Sequence, residues 1–594
     1  MNQISVSGKN WILNKFNNED INFYKDNFFL DEITSKLLSI RNIEKTTISN
    51  FLNPSIKNSL PNPNSLKDMD KATKRTIDAI INNEKIGIFG DYDVDGATST
   101  ALLGNYLKSI NQIYEIYIPD RKLEGYGPNI AGFKKLIESN SKLIFTVDCG
   151  TLSFEPIEFA QTKNVDVIIL DHHQSEVSLP KAHSVVNPNR YDDKSNLNYL
   201  CAVGVSFMFL VSLNKKLREI NWFKKENINE PNLMDFLDLV SLGTVCDVVP
   251  LIGLNRAMVK QGLKVLKNKK NLGLKTLFEM CKINTQPTPY HLGFVIGPRI
   301  NAGGRVGKCS HGANLLLNLS SKESFKLANE LNEYNNERKE LEQKILNAAL
   351  SLINHQSNDP VIILFGKNWH EGVIGIVASR IKDKFNKPTI IISVNENTGK
   401  ASARSILGFD IGSAIIAAVQ EKLILKGGGH KMAAGFSIEM SKIDQFKDFI
   451  FKRFLNLNKT SHSKAIYLDA EISPSALNLD FFEKINILSP FGAGNPEPRF
   501  LLKDLKVLNS KIVGEKHVKS VLLGKDGSAI KTISFNSHSN EIGQFLLNNN
   551  KDFFSIVGKL SLNEWNGRRN VEFIIDDISV TKNQQKKMVP SSIG

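Results

Sequence analysis

The sequence predicts an α/β protein of several domains, and three observations support this. Between residues 85 and 171, apolar runs with strand character alternate with helical patterns, which is typical of a doubly wound parallel sheet. From Ser321 to Asn354 the chain is charged, has regularly spaced leucines and contains neither Gly nor Pro, which predicts one or two long connecting helices. Residues 463–582 hold short β-rich runs separated by turns, which suggests a small barrel of the OB type.

The order of these patterns divides the chain into six regions, since 594 residues are too many for one core. A second α/β unit follows the connecting helix, with apolar runs at 360–365 and 389–392. The expected regions are a helical N-terminal segment (1–45), a catalytic α/β domain with a helical part (46–320), a connector helix (321–355), a second α/β domain (356–460), an OB barrel (463–582) and a disordered tail (583–594).

Composition limits the classes of function. The formal net charge of +14 favours a polyanionic partner through counterion release, although solvated lysines on many faces would give the same total. No run of about 18 apolar residues is present, so we expect no membrane span, and the N-terminus has no secretion-signal pattern. Five scattered cysteines without CxxC spacing argue against a zinc site and fit a reducing cytoplasm.

An acidic turn, Gly90-Asp91-Tyr92-Asp93-Val94-Asp95-Gly96, follows the predicted buried strand Lys85–Phe89. Three carboxylates crowded at a strand end repel one another, and a hard divalent cation is the simplest compensation. The alternative is a polar loop with an Asp near the start of the next helix. We favour the metal because three acids alternate within five residues.

Further acids follow other predicted strands. Asp148 ends the strand at 142–147, and Asp171-His172-His173 ends the strand at 165–170. Asp247 lies in an apolar helical stretch, where its partner could be a backbone amide, an Arg or the same metal. Because ligands of parallel sheets bind beyond the carboxyl ends of the strands, these groups are expected to converge.

The chemistry expected of this set is metal-assisted attack on phosphorus. Carboxylates with imidazole and no cysteine suit Mn²⁺ or Mg²⁺, and the number of acids suggests two ions. His173 would then be free to contact a phosphate or to transfer a proton, whereas a lone His-His pair is more often structural.

Three further clusters could bind an extended anion. Gly427-Gly428-Gly429 precedes His430 and could bring backbone amides to a phosphate, or could be a flexible loop. Ser402 and Arg404 form a second cluster, and Arg299, Asn301 and Arg305 fall in a Gly-rich stretch that we expect to be a loop. Any one of them could be ordinary surface charge.

The motifs GDYDVDG, VDCG, LDHH and GTVCDVVPL, in this order, resemble the DHH phosphoesterase superfamily, and GGGHKMAAGFS resembles its DHHA1 domain. Together with FLNP, GPRINAGGR, ASARS, PFGAGNPEP and LNEWNG, they resemble the RecJ family of single-strand-specific DNA exonucleases over about residues 40–575. The implied fold is a DHH parallel-sheet domain and a DHHA1 α/β domain joined by a long helix, plus a C-terminal OB-fold barrel.

The resemblance implies 5′→3′ release of 5′-mononucleotides from single-stranded DNA by two-metal hydrolysis, in recombination and repair. It implies metal ligation by Asp93, Asp95, Asp148, His172 and Asp247, with Asp91 as a further candidate, and catalytic roles for His173, Asp95, Asp148 and His172. The substrate contacts that we expect are Asp171, His173, Arg299, Asn301, Arg305, Ser402, Arg404, Gly428, Gly429 and His430. Single-strand-binding protein and a helicase are implied partners, and we expect a cytoplasmic monomer.

Two other readings compete with this one. A DHH phosphatase acting on oligoribonucleotides, cyclic dinucleotides or pyrophosphate would share the acidic motifs, but such relatives are typically shorter and lack the N-terminal segment and the barrel. A catalytically dead DNA-binding scaffold should have lost ligands, whereas every expected position is filled here.

Overall fold

The structure is a computed structural model that describes residues 5–317, 320–353, 359–457, 464–549, 552–565 and 568–580. The predicted disordered tail, 583–594, lies outside the described residues. In the described part of the chain, no helix is long and apolar enough to cross a membrane.

The catalytic α/β domain is built on a five-stranded sheet in which every neighbouring pair is parallel. Its strands are short apolar runs buried on both faces, as expected for a sheet covered by helices on each side. They are β2 (Ile86–Gly90), β3 (Tyr114–Tyr117), β4 (Leu143–Val147), β5 (Asp166–Leu170) and β6 (Ser184–Val186). The order β3-β2-β4-β5-β6 places a topological switch point between β2 and β4, where a ligand site is expected.

Helices cover this sheet and extend it into a helical part. Those around the sheet are α5 (Met69–Ile81), α6 (Val94–Ser109), α7 (Ile130–Glu138) and α8 (Phe154–Thr162). The helical part contains α9 (Ala202–Glu219), α10 (Trp222–Lys225), α11 (Leu237–Cys246), α12 (Gly253–Lys267), α13 (Leu272–Met280), α14 (Gly297–Val306) and α15 (His311–Leu316). A π-helical turn, His291–Ile296, leads directly into α14. The connector is one helix, α16 (Ser321–Ile353).

The prediction of a Gly-rich loop at Gly297–Arg305 was wrong, because this stretch is helix α14. Its glycines serve close packing. A Cβ on Gly304 would come within 2.8 Å of the Tyr92 ring, and one on Gly303 within 2.7 Å of the Lys308 carbonyl oxygen. Low helix propensity at these positions is therefore offset by contacts that no larger residue allows.

The second α/β domain is a mixed five-stranded sheet in the order β10-β11-β9-β8-β7. Its elements are β7 (Ile362–Lys367), α17 (Glu371–Phe385), β8 (Thr389–Asn395), β9 (Thr398–Arg404), α18 (Ile411–Gln420), β10 (Lys426–His430), β11 (Ala433–Glu439) and α19 (Ile443–Leu457). The Gly427–Gly429 run is therefore an edge strand rather than a loop. Pairing with β11 supplies the backbone bonds that a run of glycines without side chains could not predict.

The C-terminal region is a barrel, since β14 pairs with both β15 and β17 and so closes the sheet on itself. Its elements are β12 (Ala465–Leu468), β13 (Ala470–Glu471), α20 (Leu479–Asn486), β14 (Phe500–Val513), β15 (His517–Gly524), β16 (Ala529–Ser534), α21 (Glu541–Asn548), β17 (Phe554–Trp565) and β18 (Arg568–Val580).

The N-terminal segment packs on this barrel, far away in sequence. It contains β1 (Asn10–Leu13), α1 (Asn18–Phe28), α2 (Glu32–Ile40), α3 (Ile48–Leu52) and α4 (Ile56–Ser59). Strand β1, which the sequence did not reveal, pairs in parallel with β12, and Trp11 Nε1 donates to Asp577 Oδ2 at 3.0 Å. Tyr24 and Leu37 belong to the same hydrophobic cluster as the barrel strands.

Arg256 joins the helical part to both ends of the chain. It lies on α12, is fully buried, and donates to the carbonyl oxygens of Phe51, Leu488, Ser489 and Pro490 at 2.8–3.1 Å. Its guanidinium also stacks on the Phe51 ring at 3.9 Å. The rigid fork of an arginine can satisfy several carbonyls at once, so this side chain links three regions that the sequence keeps apart.

Replacing this side chain tests that link. Arg256→Met keeps the apolar volume but leaves four carbonyls without their donor, so we expect a loss of roughly 3 kcal/mol in interdomain stability. Differential scanning calorimetry should show the transition that includes the barrel moving down by several degrees. Arg218→Met, which removes an exposed ion pair with Glu230, is the control and should change it little. Equal shifts would contradict the assignment.

Candidate metal centre and nucleic-acid cleft

The acidic turn is shaped by two glycines. A Cβ on Gly90 would lie 2.0 Å from Thr100 Oγ1, and one on Gly96 would lie 2.5 Å from the Asp91 carbonyl oxygen. Asp93 caps α6 by accepting from the Gly96 amide at 3.0 Å. The turn is thus compact enough to hold Asp91 and Asp95 buried beside one another.

Asp95 has a structural role as well as an expected metal role. Its two carboxylate oxygens accept from the amides of Ala202 and Val203, at 2.6 and 2.9 Å. These amides begin α9, where unpaired donors favour a negative charge. Asp95 therefore fixes the helical part against the acidic turn.

His172 lies at the centre of the cluster. Its Nε2 atom is 3.3 Å from Asp148 Oδ1 and 3.7 Å from both Asp95 Oδ2 and Asp247 Oδ2. One oxygen each of Asp91, Asp148 and Asp247 is buried without a hydrogen-bond partner among the described residues. Buried carboxylate oxygens require a compensating group, so these three atoms identify where positive charge belongs.

Three ligand groupings could hold a divalent ion: Asp91, Asp93 and Asp148; Asp95, His172 and Asp247; and Asp148, His172 and His173. Sharing of Asp148 and of His172 between groupings is the arrangement that adjacent ions need. The donors are carboxylate oxygens and imidazole nitrogens, which suit Mn²⁺ and Mg²⁺.

Charge crowding in the metal-free protein is visible in the titration of these acids. Burial, with the neighbouring Asp93, raises the pKa of Asp91 to about 8. Burial, with Asp95 and Asp93, does the same to the pKa of Asp247. Burial and the other acids also raise the pKa of Asp148. A bound cation would reverse these shifts.

Asp171 points away from this crowding and holds His173. One of its oxygens accepts from His173 Nδ1 at 2.8 Å and from the His172 amide at 2.7 Å, and the other accepts from the Thr151 amide. Burial alone would raise the pKa of Asp171, but these donors outweigh it and hold the pKa below its usual range. Burial would likewise lower the pKa of His173, but Asp171 raises it to about 9.

Tyr126 completes the surroundings of His173. Its hydroxyl lies 3.2 Å from His173 Nε2 and donates to the Asp148 carbonyl oxygen at 3.1 Å. Tyr126 was not among the expected site residues, although its Gly-rich loop directly after a strand end could have pointed to it.

A cleft of about 990 Å³ opens beside this centre, between the two α/β domains. Its lining is aromatic and basic; it includes Tyr92, Arg121, Tyr126, Arg305, Trp369, His370, Lys400, Ser402, Arg404 and Lys426. Burial and the nearby Arg121, Arg338 and Arg404 lower the pKa of Arg305 to about 10. Arginines held together in this way form a site for an anion.

The expected substrate residues divide into two groups. Arg305, Ser402 and Arg404 line the cleft, and Arg404 Nη1 donates to Ser402 Oγ at 3.2 Å. The other members are not among the lining residues. Arg299 donates to Asn332 Oδ1 on α16, and Gly428, Gly429 and His430 lie on the exposed edge strand β10. Asn301 lies one helical turn after Gly297, on the side of α14 that faces Cys246 and Tyr92.

Three family models match the chain: the DHH family N-terminal domain at 85–244, the DHHA1 domain at 358–456 and the RecJ OB domain at 468–577. The single-stranded-DNA-specific exonuclease RecJ of Haemophilus influenzae is 34% identical over 561 residues, covering 92% of this chain and 96% of the relative. The chain belongs to the RecJ family.

Other members of the RecJ family agree. RecJ of Escherichia coli is 34% identical over 89% of this chain and 92% of its own. The crystal structure of Thermus thermophilus RecJ with Mn²⁺ matches with a TM-score of 0.78 at 27% identity, covering 96% of this chain and 79% of the other. The structure of the same protein with Mg²⁺ matches with a TM-score of 0.74. The predicted α/β class, with DHH, DHHA1 and OB domains, is confirmed.

Asp247 gives the cleanest test of the metal centre in this RecJ chain, because no described hydrogen bond to its side chain would be lost. Asp247→Asn should weaken Mn²⁺ binding, measured by calorimetric titration, by roughly a hundredfold or more. In the metal-free protein, stability should fall from about pH 4, where Asp ionises in the unfolded chain, to about pH 8, the pKa in the fold. The substitution should flatten this fall.

Asp238→Asn is the matched control. Asp238 lies on the same helix α11, and burial raises its pKa to about 7, but it belongs to none of the three ligand groupings. The control should flatten the pH dependence of stability similarly and leave Mn²⁺ affinity unchanged. Loss of Mn²⁺ affinity in both variants would remove the assignment of Asp247.

The segment after Asp247 is anchored to the barrel region. Val248 has a φ of 62°, which is strained for a β-branched residue. Three residues later, the Leu251 amide donates to the Ala493 carbonyl oxygen at 2.8 Å. A Cβ on Gly494, whose φ is 71°, would lie 3.1 Å from Pro250 Cβ. The PFGAGNPEP stretch therefore contacts the segment that carries Asp247.

Two glycines with similar backbones separate this contact from backbone strain. Gly494→Ala adds strain and pushes on Pro250, whereas Gly527→Ala adds strain at a φ of 83° with nothing within 4 Å. Both should lower thermal stability, but only Gly494→Ala should weaken Mn²⁺ binding, by about tenfold. Unchanged Mn²⁺ affinity in Gly494→Ala would show that Asp247 is positioned without the barrel region.

Proposed function

We propose that this RecJ-family chain is a single-strand-specific DNA exonuclease that degrades from the 5′ end and releases 5′-mononucleotides, with Mn²⁺ or Mg²⁺ as cofactor. The observation that carries this proposal is the set of unpaired buried oxygens on Asp91, Asp148 and Asp247, next to a cleft lined by buried arginines. The first set binds cations and the second binds phosphate, so together they accommodate a phosphodiester at a strand end.

Two ions would be held by Asp91, Asp93, Asp95, Asp148, His172 and Asp247, which supply every member of the first two ligand groupings. When bound, they supply Lewis acidity at the scissile phosphate and a hydroxide for in-line attack. His173, charged at neutral pH and oriented by Asp171, offers a donor to the phosphate oxygens. Asp171 thus acts through His173 rather than on the substrate directly.

The terminal phosphate is assigned to Arg305, Ser402 and Arg404. Arg305 is held by a bond from its Nη1 to the Gly372 carbonyl oxygen, and Arg404 is two-thirds or more enclosed by the domain interface. Their charge is not neutralised by a described carboxylate, since neither forms an ion pair in the described residues. The aromatic rings of Tyr92 and Tyr126 at the mouth would favour unpaired bases.

Other expected contacts remain predictions. Gly428, Gly429 and His430 present an exposed strand edge that could follow the sugar-phosphate backbone. Arg299 and Asn301 lie on α14, outside the cleft lining. Single-strand-binding protein and a helicase as partners, a monomeric state and a cytoplasmic location also remain predictions.

The alternatives are less well supported. A small-substrate phosphatase has no need for the barrel and N-terminal segment, which are joined to the helical part through Arg256. A dead scaffold does not account for three complete ligand groupings. A long strand labelled at its 5′ or 3′ end, digested with Mn²⁺ or Mg²⁺, separates the three possibilities. Early release of a 5′ label as mononucleotide supports the exonuclease, and cleavage of dinucleotides alone supports the phosphatase. Binding without cleavage supports the scaffold.

Arg404 tests the terminal-phosphate site. Arg404→Ala should lower kcat/KM on a 5′-phosphorylated strand by roughly tenfold to a hundredfold, because a charge-assisted bond is lost. The same variant should have much less effect on a strand ending in a 5′-hydroxyl. Arg453→Ala, which removes an arginine from α19 that contacts Phe449, should affect neither substrate. Equal losses on both strand ends would contradict a phosphate contact at Arg404.

A further inference from the structure

An aromatic pair stands exposed on the π-helical turn before α14. The rings of Tyr290 and Phe294 stack with centroids 5.3 Å apart and planes 25° apart. Their relative exposures are 62% and 74%, so both rings present apolar area to solvent. A single exposed apolar residue needs no explanation, but a stacked pair on a π-helical turn is unusual, and such turns are frequent at functional sites.

This turn is fixed to the helix end that carries a candidate metal ligand. Cys246 Sγ donates to the Leu292 carbonyl oxygen at 3.4 Å, and a Cβ on Gly293 would touch Val245 at 3.5 Å. A Cβ on Gly297 would lie 2.5 Å from Cys246 Sγ. The aromatic pair is therefore adjacent to Asp247 through direct packing, and does not belong to the cleft described above.

Val248 adds a third apolar group at the same helix end. It directly follows Asp247, is 70% exposed and has a φ of 62°. Backbone strain at a β-branched residue normally persists where packing enforces it, yet this side chain projects into solvent. Exposed Val248, Tyr290 and Phe294 are named here the apolar shelf.

Helix α14 gives the direction of the shelf relative to the cleft. Near its start, Gly297 meets Cys246; two turns later, Gly304 meets Tyr92; and Arg305 lines the cleft. Phe294 precedes Arg305 by eleven residues, or roughly 16 Å along a helix. The acidic turn and Asp247 lie beside the stretch between them. The shelf is thus on the opposite side of the metal centre from the arginine cleft.

We infer that the apolar shelf binds the bases of the nucleotides that lie 3′ of the scissile phosphate. The inference rests on the proposed function, which places the terminal 5′-phosphate in the arginine cleft and so sends the remaining strand past Asp247. Aromatic faces bind unpaired bases without regard to sequence, whereas a base pair would keep its bases stacked on one another. The shelf would therefore favour single strands at the point where the chain leaves the metal centre.

The test pairs a loss of rings with a loss of bases. One variant carries Tyr290→Ala and Phe294→Ala together; its control, Tyr191→Ala, removes a ring that is 84% exposed in the loop after β6. The substrates are 5′-phosphorylated single strands, either intact or with abasic residues at the second to fourth positions. Measurements are kcat/KM with Mn²⁺, and binding without metal by fluorescence anisotropy.

On intact strands, the double variant should lose tenfold to a hundredfold in kcat/KM and in binding, which is the range for one or two lost base stacks. On abasic strands the loss should shrink to about twofold, because the missing bases have nothing to stack on. Tyr290→Phe with Phe294→Tyr should restore most of the binding. Mn²⁺ affinity and thermal stability should match the control throughout.

Two results would overturn the inference. An equal loss on intact and abasic strands would mean that the rings support Asp247 structurally, and no loss on either would mean that the shelf serves another purpose, such as a protein contact. If the wild-type chain binds single strands without cleaving them, the proposed function fails. The anisotropy comparison still decides the shelf in that case, so the two failures are distinguishable.

Discussion

Repulsion among buried carboxylates is the constraint on which the rest of this structure depends. Asp91, Asp95 and Asp148 are buried within a few ångströms of one another, and the pKa of each is raised. Such a cluster is unfavourable in a folded protein without positive charge. Much of the surrounding architecture compensates for it: the amides at the start of α9 bind Asp95, Asp171 holds His173, and three oxygens are left for a cation.

The sheet order explains why these acids meet. The strands β2 and β4 are neighbours although β3 lies between them in sequence, so the acidic turn and Asp148 come together at the switch point. Strand β5 then brings Asp171, His172 and His173 to the same edge. Asp247 arrives from a different direction, at the end of α11, and completes the site from the helical part.

Helix α14 and Arg256 organise the longer distances. Helix α14 runs from the aromatic pair past Asp247 and Tyr92 to Arg305, so one rigid element sets the spacing of the sites along a bound strand. Arg256 ties the helical part to residues 51 and 488–490, and the PFGAGNPEP stretch contacts Leu251. The position of Asp247 therefore depends on residues almost 250 positions away in sequence.

The sequence alone determined the strands, the long connector and the acidic and histidine ligands. These features are local: a buried strand is a short apolar run, and a strand-end acid is adjacent to that run. Strand β1 and the edge strand at Gly427–Gly429 were not predictable in this way, because a strand needs a partner and the partners are β12 and β11. Likewise, the glycines of Gly297–Arg305 suggested a loop until their close contacts with Tyr92 and Cys246 were visible.

Only the tertiary structure decided which side chains share a site. Arg299 and Arg305 are equivalent in sequence terms, yet they lie on different sides of α14, so one binds Asn332 and the other lines the cleft. Asp171 and Asp148 both follow strands, but hydrogen bonds from His173 and Thr151 occupy the first and leave an oxygen of the second free. Residue type and spacing fix the chemistry available, whereas helix rotation and hydrogen-bond partners fix where each group can act, and those are properties of the folded chain.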